Sequence, residues 1–317
     1  MKNVLIMGGS YFIGKHVVNT LKHDYKVYIL NRGTHPFNDK QVHELICDRN
    51  DALKLKEVLS PYRFDYVVDI SGITQAQSDN LINALDLSTI KKFIYISSSA
   101  VYHINKAKAP FKEGDPLGGD SPFKAYADHK REAEMHLKNR LSKNIFIALR
   151  PPFVYGENNY VLRERLMFKL IEEAQPIYVP SSNNQVHFVY VRDLALHVKE
   201  AIEDIIPPGI YNVGDSQALS FEAWVNACAK VVKKSANILF INPDDYALKA
   251  TDFFPFFDYD NVLSVSKIKQ YSKTETPFSK GLENAYKDYQ LIRETVLLKK
   301  SMENARDTIK NNAVLKR

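Results

Sequence analysis

The chain has 317 residues, 45% apolar and 25% charged, an ordinary globular composition long enough for a sizeable core and about two domains. Of the net charge of +6, six cations (Lys299, Lys300, Arg306, Lys310, Lys316, Arg317) against two acids (Glu303, Asp307) place +4 at the C-terminal end, so the rest is near neutral and the tail is expected to be a solvated helix end. Cys47 and Cys228 lie far apart, which excludes a cysteine metal motif and suits buried packing in a reducing compartment; a fold starting at Val4 leaves no room for a signal peptide, and no apolar stretch can span a bilayer, so a cytoplasmic enzyme or binding protein is expected.

In chain order, Val4-Leu5-Ile6-Met7 reads as a buried strand, followed by Gly8-Gly9-Ser10-Tyr11-Phe12-Ile13-Gly14 and a helix over 13–21. A strand, a glycine turn and a helix start form an anion site, because backbone N–H groups and the helix dipole point at a phosphate. Gly8 and Gly9 allow a sharp turn and close approach to a pyrophosphate, and Gly14 allows the helix to pack on the strand. The spacing fits Gly-x-x-Gly-x-x-Gly except that Tyr11 stands where the middle glycine belongs. Further strands are predicted at 26–30, 66–70, 93–97 and 145–149, with helices at 52–59, 76–87 and 125–137 between them. That alternation predicts an α/β fold with a doubly wound parallel sheet of Rossmann type. After Pro151-Pro152 the rhythm loosens: a helix at 162–173, strand-like pieces at 176–179 and 187–191, a helix from about 193, and a return to the sheet at 210–213. The aromatic stretch 252–257 reads as loop or domain interface, and Leu282, Ala285, Tyr286, Tyr289 and Val296 lie on one face of a closing helix.

Tyr126 and Lys130 stand at i and i+4 of a predicted helix, on one face and one turn apart. A phenol with a pKa of about 10 is a poor base near neutrality, and an adjacent ammonium favours the phenolate. Lowering it by roughly three units takes about 4 kcal/mol of differential stabilisation. Upstream, the strand ending in Ser97-Ser98-Ser99-Ala100-Val101-Tyr102 places hydroxyls at the carboxyl edge of the sheet, where ligands of this architecture bind.

With these residues in order, the chain resembles the extended short-chain dehydrogenase/reductase family, the NAD-dependent epimerase/dehydratase group, over nearly its whole length. The glycine loop is the first landmark. Asp48-Arg49 resembles the acidic adenine contact after the third strand, and Asp69-Ile70-Ser71-Gly72 the strand end beside the cofactor. Arg150-Pro151-Pro152-Phe153-Val154-Tyr155-Gly156 resembles the exit near the nicotinamide; Phe188-Val189-Tyr190-Val191-Arg192-Asp193 and Tyr211-Asn212-Val213-Gly214 match later landmarks. The resemblance implies a dinucleotide-binding domain over 1–160, with returning segments near 187–215, and a mainly substrate-binding domain with the closing helix over 161–317. It implies Tyr126, Lys130 and Ser98 as the catalytic set. The base Tyr126 takes a proton from a substrate hydroxyl as hydride leaves; Lys130 lowers its pKa and holds the nicotinamide ribose; Ser98 fixes the reacting oxygen. The implied cofactor contacts are Gly8, Gly9, Ser10, Tyr11, Phe12, Ile13, Gly14, Asn31, Arg32, Asp48, Arg49, Ser71, Gly72, Lys130, Pro152 and Val154, with no metal. The implied partners are a small-molecule substrate, a nucleotide-sugar among the options, and a second copy in a homodimer.

Departures narrow the reading. Ser99 and Ala100 stand where family dehydratases carry Asp-Glu, which argues against a 4,6-dehydratase. The usual diphosphate-binding arginine is replaced by Val186, leaving Arg163 or Arg165 as substitutes, with Ser99 and His187 as further substrate candidates; His187 also reads as a core or cleft-wall residue and His129 as a helix-surface one. The second strand ends in Asn31-Arg32-Gly33 rather than an acid, which leans the cofactor toward NADP over NAD. A sugar or nucleotide-sugar epimerase is favoured over an NADPH-dependent reductase. Gly-Gly-x-x-x-Ile-Gly, Asn-Arg-Gly and Tyr155-Gly156-Glu157-Asn158-Asn159 also resemble a branch that includes chloroplast stem-loop RNA-binding proteins, which keeps a non-catalytic RNA-binding member as the alternative of another class.

Overall fold

The computed structural model describes residues 1–119 and 122–315; the tail cations Lys316 and Arg317 lie outside the described residues. In chain order the elements are β1 (Asn3–Met7), α1 (Phe12–Leu21), β2 (Lys26–Asn31), β3 (Val42–Ile46), α2 (Ala52–Leu59), β4 (Tyr66–Asp69), α3 (Gln75–Ala84), β5 (Lys92–Ile96), α4 (Lys124–Arg140) and β6 (Phe146–Arg150). There follow β7 (Phe153–Tyr155), α5 (Glu164–Glu172), β8 (Pro176–Pro180), β9 (Gln185–Val186), β10 (Phe188–Tyr190), α6 (Val191–Ile202), β11 (Gly209–Asn212), β12 (Leu219–Ser220), α7 (Phe221–Val232), β13 (Asn237–Ile241), α8 (Ala250–Phe253), α9 (Phe278–Ile292) and α10 (Lys300–Leu315). The chain divides into two compact units, one formed by Met1–Val154, Val189–Ser216 and Leu263–Glu275, the other by Tyr155–Phe188, Gln217–Val262 and the residues from Thr276 onward.

The first unit is a seven-stranded sheet in the order β11-β6-β5-β4-β1-β2-β3, with every pairing parallel. Its inner strands are apolar without alternation because helices cover both faces: Val4, Leu5 and Ile6 are fully buried, as are Phe93, Ile94 and Tyr95. Helix α1 packs on α6, and α3 packs between α2 and α4. The strand order reverses between β1 and β4, so their carboxyl ends open a crevice at the switch point. Strand β3 carries no buried run and was not among the predicted strands; as an edge strand it needs only one apolar face, and His43 stacks on Tyr28 at 4.8 Å.

In the second unit α5, α7 and α9 pack together. The aromatic stretch expected as loop or interface instead fills this unit's core: Phe253, Phe254 and Phe256 are buried, and Trp224 meets Phe256 at 4.7 Å and Phe188 at 6.0 Å. Strand β8 pairs in parallel with β13. The expected solvated tail is only partly so. Helix α10 buries Ala305 and Ile309, and Arg306 lies 5.1 Å over the Tyr178 ring while donating to the Pro176 carbonyl at 2.8 Å. Both cysteines are free and buried. Among the described residues no helix is long and apolar enough to cross a membrane.

Asp215, buried in the first unit, has its carboxyl pushed up to about 8 by burial and then by the charges of Asp193 and Glu275. Unfolded, the same group titrates near 4. Between those values the folded chain holds a proton that the unfolded chain has lost, so stability falls as pH rises through the window. Asp215→Asn is therefore expected to melt higher than the parent at pH 8 and to show no advantage at pH 4. An equal difference at both pH values would contradict this.

Candidate active site at the carboxyl edge of the sheet

Strand β1 delivers Gly8 in the left-handed region, φ +88°, where its amide donates to the Leu30 carbonyl at 3.0 Å. The next glycines hold the helix close. A Cβ at Gly9 would lie 2.5 Å from the Ile29 side chain, and one at Gly14 would lie 2.0 Å from the Gly8 oxygen. Tyr11, in the missing glycine's place, is extended at φ −138°, and the left-handed residue is Phe12 at φ +39°. A side chain held there costs about 1–2 kcal/mol, a strain typical of ligand-binding turns. Helix α1 has no side-chain cap and no acid in its first turn, which suits its start to an anion.

Beside this turn lies a cavity of about 340 Å³. Of the predicted cofactor residues, Gly8, Ser10, Tyr11, Asn31, Arg32, Asp48, Arg49 and Ser71 line it; Thr34, His35, Cys47 and Gln77 join them. The Tyr11 ring stacks on His35 at 5.0 Å. Nothing in the sequence pointed to His35, which sits in the loop after β2. Gly9 and Gly14 shape the turn from behind rather than lining the cavity, and Phe12, Gly72, Lys130, Pro152 and Val154 are buried away from its wall, as Ile13 is in part. Asn31 is held on both sides, donating to Glu44 at 2.7 Å and accepting from the Gly33 amide at 2.6 Å. Asp48 accepts from the Asn50 amide at 2.9 Å, which holds its carboxyl below the usual range.

Besides lining the cavity, Arg49 is tied into the fold. Its guanidinium forms a bidentate pair with Asp69, at 2.7 and 2.9 Å, and donates to the Ser71 hydroxyl at 2.9 Å. Its Nε is buried with no hydrogen-bond partner. Burial opposes the guanidinium charge, but Asp69 outweighs it and raises the arginine above its usual value.

Helix α4 carries the other half of the site. Lys130 is 3% exposed, and its Nζ donates to the Gly72 carbonyl at 2.7 Å and the Ile96 carbonyl at 2.6 Å. The Tyr95 ring lies 4.6 Å from it. An ammonium has three donors, so these two bonds leave the third for a ligand. Burial pushes the Lys130 ammonium down to about 8, against the partial support of Asp69. Tyr126, one turn earlier, is 40% exposed. Ser98 is half-buried and its hydroxyl accepts from the Ala100 amide at 3.1 Å, capping a short 3-10 turn; Ser99 is buried, its amide donating to the Pro151 carbonyl at 2.9 Å. Behind α4, Arg150 is locked to Glu134 and donates to the Tyr102 hydroxyl at 2.9 Å.

The substrate candidates of the second unit fare unevenly. Arg165 is paired with Asp288 at 2.7 Å, so its charge is already matched. His187 is 2% exposed, a buried residue of the second unit whose amide donates to the Asn261 carbonyl at 3.0 Å. Arg163 directly precedes α5 and is half-buried. His129 is exposed on α4.

Comparison with known proteins agrees with this fold. The chain is 30% identical over 307 residues to the chloroplast stem-loop binding protein of 41 kDa b from Arabidopsis thaliana, covering 90% of this chain and 78% of that one. It is 24% identical over 243 residues to N-acetyl-alpha-D-glucosaminyl-diphospho-ditrans,octacis-undecaprenol 4-epimerase of Escherichia coli O157:H7, covering 70% of each. Among solved structures, the UDP-glucose 4-epimerase of Thermotoga maritima with UDP-glucose aligns with a TM-score of 0.73 at 16% identity, over 92% of this chain and 99% of that one. The dTDP-glucose 4,6-dehydratase of Bacillus anthracis in complex with NAD aligns with a TM-score of 0.75 at 18% identity, over 93% and 98%. The family model for the NAD dependent epimerase/dehydratase family matches residues 4–214, from the first strand through the glycine turn, Ser98, Tyr126 and Lys130 to the last strand of the sheet. The chain belongs to the NAD-dependent epimerase/dehydratase family.

Proposed function

We propose that the protein is a nicotinamide-dependent epimerase acting on a sugar or nucleotide-sugar by transient oxidation. Lys130 carries this reading. A buried ammonium with two donors anchored on backbone and a third left over, one helical turn from Tyr126, suits the partner of a tyrosine base better than it suits packing. The residues present fit a dinucleotide. The glycine turn leaves no room for side chains behind it, α1 opens uncapped, and the adjoining cavity is lined by Ser10, Arg32 and Ser71. When bound, the nicotinamide would accept hydride from the substrate carbon and return it.

The chain's own residues do the rest. Tyr126 removes the hydroxyl proton and later gives it back, and Ser98 hydrogen-bonds the reacting oxygen. Lys130 favours the phenolate through its charge. Substrate selection falls mainly to residues 161–317. Arg163, directly before α5, is the residue of the second unit that we assign to a substrate phosphate. A sugar diphosphate as substrate is supported by the UDP-glucose bound to the Thermotoga maritima relative. Ser99 and Ala100, in place of an acidic pair, speak against dehydration.

The cofactor is NAD or NADP. NAD is bound in the Bacillus anthracis relative. Arg32, exposed and on the cavity wall, leans this chain toward NADP, while the Glu44 carboxylate beside Asn31 opposes a 2′-phosphate. Arg32→Ala is expected to weaken NADPH binding about tenfold, as loss of one charge-assisted contact, and to leave NADH binding within about twofold. Fluorescence titration reads both; equal losses would remove Arg32 from 2′-phosphate recognition.

Tyr126→Phe is expected to lower epimerisation of UDP-glucose or UDP-N-acetylglucosamine, followed by NMR, at least about 100-fold, with NADH affinity retained. Full activity in the variant would sink the mechanism. Because the Lys130 ammonium sits at about 8, parent activity should fall as pH rises through that value, when the charge supporting the phenolate is lost. A rate rising steadily to pH 10 would contradict this.

The stem-loop binding protein of Arabidopsis thaliana favours a second reading, nucleic-acid binding with the basic helix α10 as contact. Arg306 is built into the fold, so the fair variant is Lys300→Glu/Lys310→Glu, two exposed positions. This reading requires stem-loop RNA affinity that drops steeply with salt and drops further in the variant. Salt-insensitive or absent binding eliminates it.

A further inference from the structure

We propose that the buried Arg49–Asp69 pair is a positioning device for Lys130: Asp69 keeps the ammonium charged and in place, and Arg49, reaching in from the cavity wall, tempers that hold. The proposal rests on the reading of Lys130 as the partner of Tyr126.

One turn carries the connection. Asp69 ends β4, and its Oδ1 accepts from both Arg49 Nη1 at 2.7 Å and the Gly72 amide at 2.9 Å. The turn wraps tightly on this carboxylate: a Cβ at Gly72 would lie 2.4 Å from Asp69 Oδ2. The carbonyl of Gly72 then accepts from Lys130 Nζ at 2.7 Å and from the Tyr95 hydroxyl at 3.0 Å. From the other side, Arg49 fastens Ser71 at 2.9 Å and the Gln77 carbonyl at 3.2 Å, and Arg49, Ser71 and Gln77 all line the cavity. The cavity wall and the seat of Lys130 are therefore two faces of one turn, with the ion pair at its centre.

The charges make the device directional. The groups facing Lys130 are Asp69 at the end of β4, Arg49 on the loop after β3, the Tyr95 ring on β5, and Glu134 one turn further along α4. Glu134 is bound to Arg150 of β6, so its charge is already matched. Asp69 is left as the acid that supports the ammonium, and it shares its charge with Arg49. Removing Asp69 leaves two buried cations to repel each other. Removing Arg49 leaves Asp69 to Lys130 alone. The two neutral substitutions must move the Lys130 titration in opposite directions, which a merely structural role would not do.

The test uses the full chain labelled with ¹⁵N-lysine. The Nζ resonance of Lys130 is assigned by its loss in Lys130→Arg and followed against pH. Asp69→Asn is expected to lower the midpoint by about one unit, and Arg49→Gln to raise it by a similar amount, with the double variant, which removes both charges of the pair, between them. Midpoints that stay put or move the same way overturn the proposal. If thermal melting shows that Asp69→Asn does not fold, Arg49→Gln decides, and a midpoint that falls or does not move overturns it. NADH binding, followed by fluorescence on the same samples, tests the dinucleotide reading separately, because the lysine titration needs neither cofactor nor turnover.

Discussion

The ammonium of Lys130 is carried into the carboxyl edge of the sheet, where it meets Gly72 O and Ile96 O, two carbonyls that follow or end neighbouring strands. Burying an ammonium costs several kcal/mol, and hydrogen bonds to a charged group return about 1.5–3 kcal/mol each. Two such bonds, an aromatic face and a nearby carboxylate offset part of that cost here, and burial leaves the proton held only loosely. This constraint fixes the register of helix α4 against β4 and β5. With α4 fixed, Tyr126 stands one turn nearer the helix start and keeps its solvent exposure. A tyrosine acting as a base needs that combination: a cation held still beneath it and an open face for the substrate.

The glycine turn supplies the complementary constraint. Its work is subtractive, since Gly9 and Gly14 matter for the side chains they lack. The close approach they permit brings the start of α1 to the same sheet edge as the Gly72 turn. With Tyr11 extended in the middle glycine's place, the residue after it, Phe12, takes a left-handed step. The Tyr11 ring, freed from the turn, stacks on His35 at the cavity wall.

Much of the first unit was legible because parallel strands buried on both faces advertise themselves as short apolar runs. The helix predicted at 52–59 matches Ala52–Leu59, where Asp51 caps the start. Strand β3 escaped because an edge strand shows no such run, whereas β13 carries one, Ile238-Leu239-Phe240-Ile241, of which Leu239 and Phe240 stay exposed. Tyr126 and Lys130 stood out by their i, i+4 spacing and Ser98 by the family resemblance, but local pattern says nothing of what a buried charge meets across the fold. Arg49 and Asp69 are twenty residues apart, and their pairing could not be read from either neighbourhood. Arg165 looked available for a substrate because Asp288, its partner, lies 123 residues away. The basic tail likewise looked solvated, although Ala305 and Ile309 mark the buried face of its helix.

The central claim is that this edge of the sheet holds a nicotinamide dinucleotide for catalysis. It is tested most directly by denaturing the purified protein and weighing what it releases. The account predicts the mass of NAD or NADP, retained through purification as an epimerase must retain its cofactor, or, for a reductase, an empty site that takes up NADPH reversibly. A protein that releases no nicotinamide nucleotide and takes up neither NADH nor NADPH would contradict it.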